Sequence, residues 1–431
     1  MSIETGFYGL LVLMLLLALR VPVALALMVV SLGGLSLMLG WETALSLLAS
    51  TPYDFIAKWT LSAVPMFLLM GFVSYHAGLT AGLFNAAKVV FRWLPGGLAI
   101  SSIFAASGFA AVSGSSLACA AAMGRIAIPE MVRSGYKPSF ACGTIAAGGT
   151  IGALIPPSIL MIIYGVFAQT SITQVFLGGI TIGLLTALSY SLVILIVSWL
   201  RPDIAPRVAE GVEGYSVRQA VLEIWPVLAL GALVFGGLFS GFFTATEAGA
   251  VGAAGALLIS FALGKLTLGQ LKTALLETLS TTASLLIIGV GATMFTVFLS
   301  LSGLAGFISM AVTGWELSFL QLMLVVVLIY LFLGLFMDPF GAMLVTLPIL
   351  LPVFEQYDIS LIWFGVLLVK LLEIGMITPP VGMNIFVIRS VASQYASLVD
   401  IFKGVAYFLI ADLVVVTLVI LWPELVLFMT G

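Results

Sequence analysis

The chain has 431 residues and a formal net charge of −3; 62% of its residues are hydrophobic and only 8% are charged. A soluble domain carries about 25% charged residues, and the mean hydropathy here is +1.28. This composition excludes a water-soluble enzyme or nucleic-acid-binding domain. Because lipid tolerates no unpaired backbone group, repeated apolar runs of about 20 residues predict an all-α polytopic membrane protein.

Apolar segments predict the membrane spans in chain order. The first run, from Phe7 to Leu19, has no basic region before it and continues past Arg20 into a second run, which favours a span over a cleaved signal peptide. The predicted spans are 5–19, 21–40, 61–77, a broken 138–168, 173–199, 224–241, 246–264, 279–301, a broken 359–390 and 404–422. Three more polar segments, 42–58, 208–223 and 266–278, predict amphipathic helices at the interface. Residues 200–222 predict a cytoplasmic linker.

Basic residues predict the orientation, because Lys and Arg are concentrated in cytoplasmic loops. The residues expected there are Arg20, Lys88, Arg92, Arg125, Arg133, Lys137, Arg201, Arg207, Arg218, Lys265, Lys272, Arg389 and Lys403. The assignments agree only if 97–130 and 320–354 are hairpins that enter and leave on one side, the first opening to the cytoplasm and the second outward. Both termini are then periplasmic, and Lys58 snorkels to the interface.

Two stretches that lie far apart in the sequence share one pattern of residues. Residues 113–131 with 150–162 match 336–354 with 373–385 at a single offset of 223 (352 − 129), which aligns Pro129 with Pro352 and Pro156-Pro157 with Pro379-Pro380. With the opposite orientations predicted above, this is an inverted repeat of a re-entrant hairpin and a broken helix. Interrupted apolar segments at matching places in two halves indicate the binding site of a secondary transporter.

The repeat also predicts the domain organisation. Residues 97–168 and 320–390 form a transport domain from repeats 1 and 2. Residues 1–96 are N-terminal scaffold spans, 169–319 are middle spans that carry the linker and form scaffold and interfacial arms, and 391–431 carry the C-terminal span.

The breaks themselves predict ion chemistry. A helix broken at mid-membrane exposes free C=O groups at one new end and free N–H groups at the other. Carbonyls suit a hard cation, and positive N-terminal ends suit an anion. Gly152 and Gly375 allow unwinding, while Pro156 and Pro379 donate no backbone hydrogen bond. We therefore predict two pseudo-symmetric cation sites that flank an anionic substrate, near hairpin tips at 113–116 and 337–341.

Single polar residues leave alternatives open. Asp338 is ionisable near mid-bilayer, where such groups are costly and usually functional; it is a Na⁺ ligand, a proton carrier or a helix cap. Glu373 is predicted to position a helix rather than bind an ion. Thr378 and Asn384 flank the second break, with Thr150 and Ser158 as near-counterparts in the first. Glu247 is predicted to belong to a helix N-cap.

Several motifs carry a family resemblance. They are VPMFLLMG at 64–71, LPGGLA at 94–99, the SGSS tip, IPEMVRSGY at 128–136, IGALIPPS at 151–158, FTATEAGA at 243–250 and EIGMITPPVGMNIF at 373–386. With them the chain resembles, essentially end to end, the large membrane subunit (M, DctM-like) of tripartite ATP-independent periplasmic (TRAP) transporters. Ala245 stands where the family usually has proline, and Pro339-Phe340 replace the small residues common after the tip aspartate, which weakens residue-level transfer at 339–340.

The resemblance implies an elevator-type, Na⁺-driven uptake permease for organic anions in the inner membrane. It implies two partners, a small four-helix membrane subunit (Q, DctQ-like) and a periplasmic substrate-binding protein (P). It also implies two Na⁺ sites, drawn from Ser113, Ser115, Gly152 and Ile155 in repeat 1 and from Met337, Asp338, Gly375, Thr378 and Gly382 in repeat 2. The substrate lies between them, and the residues expected to touch it are Ser116, Pro157 and Asn384.

Two other functional classes compete with this one. A self-contained Na⁺- or H⁺-coupled dicarboxylate symporter shares hairpins and broken helices, so architecture alone does not exclude it, and coupling to protons stays open because Asp338 or Glu373 could titrate. An intramembrane enzyme would need a nucleophile–base pair or a metal cluster. The sequence offers one histidine, His76, and two cysteines, Cys119 and Cys142, that lie in apolar context and predict neither a disulfide nor a metal site.

Overall fold

The computed structural model describes residues 3–206 and 217–430, and no β-strand occurs among them. The predicted all-α class is confirmed. Six of the described helices are long and apolar enough to cross a membrane, or seven if the bent pair Trp41–Ile56 and Trp59–His76 counts as one span. The chain is therefore a multi-pass helical membrane protein.

The helices of the described ranges follow one another with short connections. The first eight are α1 (Ile3–Ala18), α2 (Val23–Leu39), α3 (Trp41–Ala49), α4 (Thr51–Ile56), α5 (Ala63–His76), α6 (Ala81–Phe91), α7 (Gly97–Ser113) and α8 (Ser116–Arg133). The next six are α9 (Pro138–Thr150), α10 (Ile159–Phe167), α11 (Ile172–Leu200), α12 (Val217–Phe239), α13 (Ala245–Ala262) and α14 (Leu268–Ser302). The last seven are α15 (Leu304–Gly314), α16 (Phe319–Gly334), α17 (Pro339–Gln356), α18 (Leu361–Gly375), α19 (Met383–Val391), α20 (Leu398–Leu421) and α21 (Glu424–Leu427).

Two of the predicted interfacial segments are continuous with longer helices where the structure describes them. Residues 266–278 are not a separate helix, because they begin the 35-residue α14, which at about 1.5 Å per residue is roughly 52 Å long. Likewise 217–223 form the first turns of α12, whereas 208–216, and 207–216 of the predicted linker, lie outside the described residues. The third segment, 42–58, is helical as α3 and α4.

Helix caps explain where several helices begin. Thr267 and Gln270 form a reciprocal capping box at the start of α14, and Thr244 and Glu247 form another at the start of α13. The second box confirms the predicted capping role of Glu247. Such boxes satisfy two of the backbone N–H groups that a helix start leaves unpaired.

Both predicted tips join pairs of antiparallel helices. At the first tip, Gly114 takes a left-handed conformation with φ of 63° and Ser115 caps α8. At the second, residues 335–338 join α16 to α17. Tyr330 and Thr346, each eight positions from Asp338, are linked by a hydroxyl hydrogen bond of 2.5 Å, which fixes the register of the two arms.

Both predicted helix interruptions are present. Residues 151–158 separate α9 from α10, and residues 376–382 separate α18 from α19. The Pro156-Pro157 and Pro379-Pro380 peptide bonds are both cis. Ser158 caps α10 by accepting from the Met161 N–H at 3.4 Å, whereas Gly382, with φ of 59°, begins α19.

The helical segments that lead into the interruptions are buried on all sides. Every residue from Phe140 to Thr150 in α9 and from Trp363 to Gly375 in α18 is buried. A helix that is apolar all round belongs in the interior of a bundle. Protein therefore surrounds the ends of α9 and α18 and all of the first interruption, whereas Pro379 and Pro380 of the second interruption are exposed.

Glycine permits close contact between the second hairpin and the second broken helix. A Cβ atom on Gly375 would lie 2.7 Å from the Cα of Gly334 at the end of α16. Real Cβ atoms do not approach that closely, so the second interruption and the second hairpin can touch only through these glycines. The arm α16 is thereby held against the end of α18.

The substitution Gly375→Ala tests this close approach. Because the added methyl group overpacks a backbone contact, we expect the free energy of unfolding to fall by about 1–3 kcal/mol, measured by thermal unfolding of the purified protein. The matched control is Gly306→Ala, where a Cβ would meet no heavy atom within 4 Å. Equal stability of the two variants would contradict the proposed contact.

Candidate functional site

A cavity of about 470 Å³ lies where both tips approach both interruptions. Its wall is mostly apolar, with polar groups from Ser115 and Ser116 of the first tip, Asp338 of the second tip, and Glu373 of α18. The other residues that line it are Leu68, Phe72, Gly114, Leu117, Ala118, Ala121, Ala153, Ile159, Leu160, Thr281, Leu285, Pro339, Phe340, Met376, Met383 and Val387. The two halves of the sequence repeat thus meet at one concave site.

The three serines of the first tip have different surroundings. Ser115 accepts from the Ala118 N–H at 3.4 Å and caps α8. Ser116 is buried, and its hydroxyl donates to Glu373 Oε1 at 3.1 Å, which joins the first tip to the second broken helix. Ser113 Oγ is buried without a partner among the described residues.

The first interruption packs directly on this tip. A Cβ on Gly152 would lie 2.8 Å from the carbonyl oxygen of Ser115, so the chain passes the tip at backbone contact distance. The Ile159 N–H donates to the Gly114 carbonyl at 3.5 Å. Ile155 and Pro157 are buried in the same turn, and neither lines the cavity among the described residues.

At the second tip, Asp338 both caps a helix and faces the site. Its Oδ1 accepts from the Gly341 N–H at 2.9 Å, which makes it the N-cap of α17. It lines the 470 Å³ cavity and also a neighbouring cleft of about 900 Å³ that includes Arg20. Met337 lines that cleft and not the cavity. Capping occupies one carboxylate oxygen and leaves the charge of Asp338 beside the cavity.

Four candidate site residues are predicted at the second interruption. Three of them lie in or beside its unwound turn, namely Gly375, Thr378 and Gly382. The Thr378 hydroxyl donates to the Ile374 carbonyl at 2.6 Å, which leaves its oxygen able to accept or ligate. Gly375 and Gly382 bracket the unwound turn. Asn384 does not line the cavity: it is fully buried, its Nδ2 donates to the Ala146 carbonyl at 3.4 Å, and its Oδ1 has no partner among the described residues.

The donor set of the cavity is oxygen-rich. Its described wall offers the hydroxyls of Ser115, Ser116 and Thr281 and the carboxylates of Asp338 and Glu373, without any Lys or Arg. The N-termini of α8 and α17 also begin at this wall. Hydroxyl, carboxylate and carbonyl oxygens suit a hard cation, and helix N-termini suit an anion.

A family model matches most of the chain. Residues 10–425 match the DctM component of the tripartite ATP-independent periplasmic transporters. The chain belongs to this family. As members of the DctM family are transporter permeases, the chain is the large permease subunit of a TRAP transporter and not an enzyme.

Individual relatives agree with the family assignment. The chain is 37% identical over 364 residues to the C4-dicarboxylate TRAP transporter large permease protein DctM of Pseudomonas aeruginosa. This match covers 84% of each of the two chains. It is 32% identical over 394 residues to the isethionate TRAP transporter permease protein DctMQ of Oleidesulfovibrio alaskensis, covering 89% of this chain and 61% of that one.

A solved structure shares the fold. The YdaH transporter of Alcanivorax borkumensis, whose crystal structure is described as having an unusual topology, superimposes with a TM-score of 0.64 at 15% identity, over 89% of this chain and 88% of that chain. At this identity the likeness concerns the fold alone. It places DctM-type chains in an architecture that another transporter also uses.

One group of polar residues is absent from the sequence-based site. Lys370 of α18 and Asp412 of α20 form an ion pair in which both side chains are only 1% exposed. Each is an ionisable residue inside an apolar run, LLVKLL and FLIADLVVV, and such residues are functional by default. This rule identifies each of the two residues from the sequence, but only the structure shows that they form a pair.

The substitution Ser116→Ala tests the link between the first tip and Glu373. It removes the one hydrogen bond that this buried carboxyl group makes among the described residues, and a hydrogen bond to a charged group contributes about 1.5–3 kcal/mol. We therefore expect roughly tenfold or greater loss of apparent solute affinity, measured by uptake into proteoliposomes. Ser101→Ala, which removes a buried hydroxyl that donates to Gly97 O at 2.7 Å within α7, is the control. A similar loss in both variants would argue against a specific role of Ser116.

Proposed function

We propose that this permease subunit uses a sodium gradient to take up an organic anion, a carboxylate or a related acid, that a periplasmic substrate-binding protein delivers. The observation that carries the proposal is the single cavity lined by residues of both tips and both interruptions, with side-chain oxygen atoms of the tips and of Glu373 and the starts of α8 and α17 at its wall. Such convergence suits simultaneous binding of cations and an anion. The inner membrane is the proposed location, with both termini on the periplasmic side.

Two sodium sites are proposed, one for each repeat. In the first, the Ser113 and Ser115 oxygens and the carbonyls of Gly152 to Ile155 surround the ion. The unpartnered buried Ser113 Oγ supports this set, because a buried hydroxyl without a partner is costly. In the second, the ligands come from Asp338, Thr378 and backbone carbonyls at Met337, Gly375 and Gly382.

The proposed substrate is a small organic anion. The two relatives described above are named for C4-dicarboxylates and for isethionate, which carry carboxylate and sulfonate groups respectively. Since the described cavity wall includes no cationic side chain, the N-termini of α8 and α17 and the bound cations would balance the charge of the substrate. Ser116, Pro157 and Asn384 are the proposed contacts, with Ser116 placed directly on the wall.

The proposed partners are the Q and P subunits. One relative is a permease named DctMQ, of which this chain spans 61%; the M region therefore leaves length for a second component in that protein. For this chain we propose a separate four-helix Q subunit. An elevator cycle then moves the transport domain, including 97–168 and 320–390, against the scaffold.

A self-contained sodium- or proton-coupled dicarboxylate symporter is not favoured, since the chain belongs to the DctM family. The two functions differ in one requirement. A TRAP permease depends on its binding protein, whereas a symporter does not.

Reconstitution tests the proposed function directly. The chain and its Q subunit are placed in proteoliposomes, and uptake of a panel of radiolabelled carboxylates and sulfonates is measured with and without the binding protein and an inward sodium gradient. We expect uptake only when both are present. Undiminished uptake without the binding protein would support the symporter, and uptake driven equally by a proton gradient in potassium buffer would reject sodium coupling.

Two substitutions separate the charge of Asp338 from its role as a helix cap. Asparagine is as good an N-cap as aspartate, whereas alanine costs about 1 kcal/mol at that position. We expect both Asp338→Asn and Asp338→Ala to lose stabilisation by NaCl relative to KCl and choline chloride in thermal unfolding. The wild type should gain about 2.7 kcal/mol at a hundredfold excess of sodium over Kd.

Only the alanine variant should also unfold earlier in choline chloride. Sodium-specific stabilisation that persists in Asp338→Ala would remove this residue from the proposed second site.

A further inference from the structure

Four helices meet at one buried polar cluster behind the cavity. Lys370 Nζ pairs with Asp412 Oδ1, and the hydroxyl of Tyr190 on α11 donates to the same carboxylate oxygen at 2.7 Å. Lys370 Nζ also lies 5.5 Å from the centre of the Tyr190 ring, within the range of a cation–π interaction. Each of the three side chains therefore contacts the other two. They are called the polar bridge below.

Both ends of the polar bridge reach a helix interruption. Tyr190 Oη lies 3.4 Å from Thr150 Oγ1, and Thr150 is the last residue of α9 before the first interruption. Lys370 precedes Glu373 by three residues, which places both on one side of α18, and Glu373 stands two residues before Gly375. The bridge thus extends from a contact with the last residue of α9 to a position on α18 that lies five residues (375 − 370) before its end at Gly375.

The two ends are also equivalent positions of the sequence repeat. The offset of 223 places Thr150 on Glu373 (373 − 150). The residue equivalent to Lys370 is Ala147, so the bridge itself has no second copy. One asymmetric cluster therefore connects two symmetry-related points.

Fold stability is a poor explanation for such a cluster. A buried ion pair loses hydration that its attraction only just repays, and replacing such a pair by apolar residues is often neutral or stabilising. Moreover, Asp412 Oδ2 is buried without a partner among the described residues. A group of this kind is better explained by the geometry that it imposes on its neighbours.

We infer that Tyr190, Lys370 and Asp412 are positioning residues that hold the two helix interruptions at a fixed separation, so that cation affinity at the proposed sites depends on side chains that touch neither cation nor substrate. The inference rests on the proposed function for its effect on transport. The structural part of the inference, that the two interruptions are held at a fixed separation, does not rest on the proposed function.

Two variants test the bridge without leaving an unpaired charge. Tyr190→Phe removes only the hydroxyl that joins Asp412 to Thr150. The double variant Lys370→Met with Asp412→Leu removes both charges and keeps apolar volume. The control is Tyr164→Phe, because the buried Tyr164 hydroxyl donates to the Leu361 carbonyl at 2.5 Å, at the end of α18 remote from the interruption.

The first readout is hydrogen–deuterium exchange of the chain with its Q subunit in nanodiscs. Peptides that cover 150–160 and 373–384 should exchange about three- to tenfold faster in both bridge variants, as expected for the loss of one hydrogen bond. The control should match the wild type in these peptides. Unchanged exchange at both interruptions in a folded bridge variant would overturn the inference.

The second readout is the sodium dependence of uptake in proteoliposomes with the binding protein. The sodium concentration for half-maximal uptake should rise about three- to tenfold in the bridge variants, while the maximal rate at saturating sodium stays within about twofold. A lowered maximal rate with an unchanged half-maximal concentration would indicate a merely structural role and overturn the inference.

A failure of this inference can be distinguished from a failure of the proposed function. If wild-type uptake does not depend on sodium, the sodium part of the proposed function fails, and exchange at the two interruptions alone decides the bridge. If the double variant does not fold, Tyr190→Phe decides, because it keeps both charges.

Discussion

The bilayer core offers no water to hydrogen-bond a backbone group, so an unwound segment there must be enclosed by protein. This constraint accounts for the arrangement around the two interruptions. The segments Phe140–Thr150 and Trp363–Gly375 are buried throughout, and the hairpins lie against them at distances that only glycine permits, at Gly152 and Gly375. The helical segments that end at the interruptions are therefore enclosed by protein, and only Pro379 and Pro380 of the second interruption are exposed.

The same enclosure produces the binding cavity. Helix starts must be capped, and the caps used at the tips, Ser115 and Asp338, present oxygen atoms to the cavity as well as to their own helices. Side chains that complete the secondary structure and side chains that can bind solute are thus partly the same. A substitution at a tip changes local stability and site chemistry together, which is why asparagine and alanine at position 338 give different information.

The positions of the tips and interruptions could be predicted from sequence because Gly, Pro, Ser and Asp act locally on the backbone. The repeat then made chance placement implausible, and the fold agrees at each of these positions. The predicted bounds differ from the structure where a polar segment predicts a separate amphipathic helix, as at 266–278. The start of α14 contains Thr273 and Thr278, whose hydroxyls donate to carbonyls four residues earlier, so the polar segment continues the helix instead of breaking it. Contacts between distant residues, such as Ser116 with Glu373 and Lys370 with Asp412, are properties of packing, and no local pattern specifies them.

The ion pair between Lys370 and Asp412 has a consequence for how the molecule divides into rigid bodies. Sliding α20 past α18 would pull opposite charges apart in a medium of low polarisability, at a cost of several kcal/mol per ion. That cost favours movement of α20 together with α18 over movement of one past the other. In the proposed elevator cycle, the boundary between moving and stationary parts would then lie outside α20, which enlarges the moving body beyond the repeats that the sequence reveals.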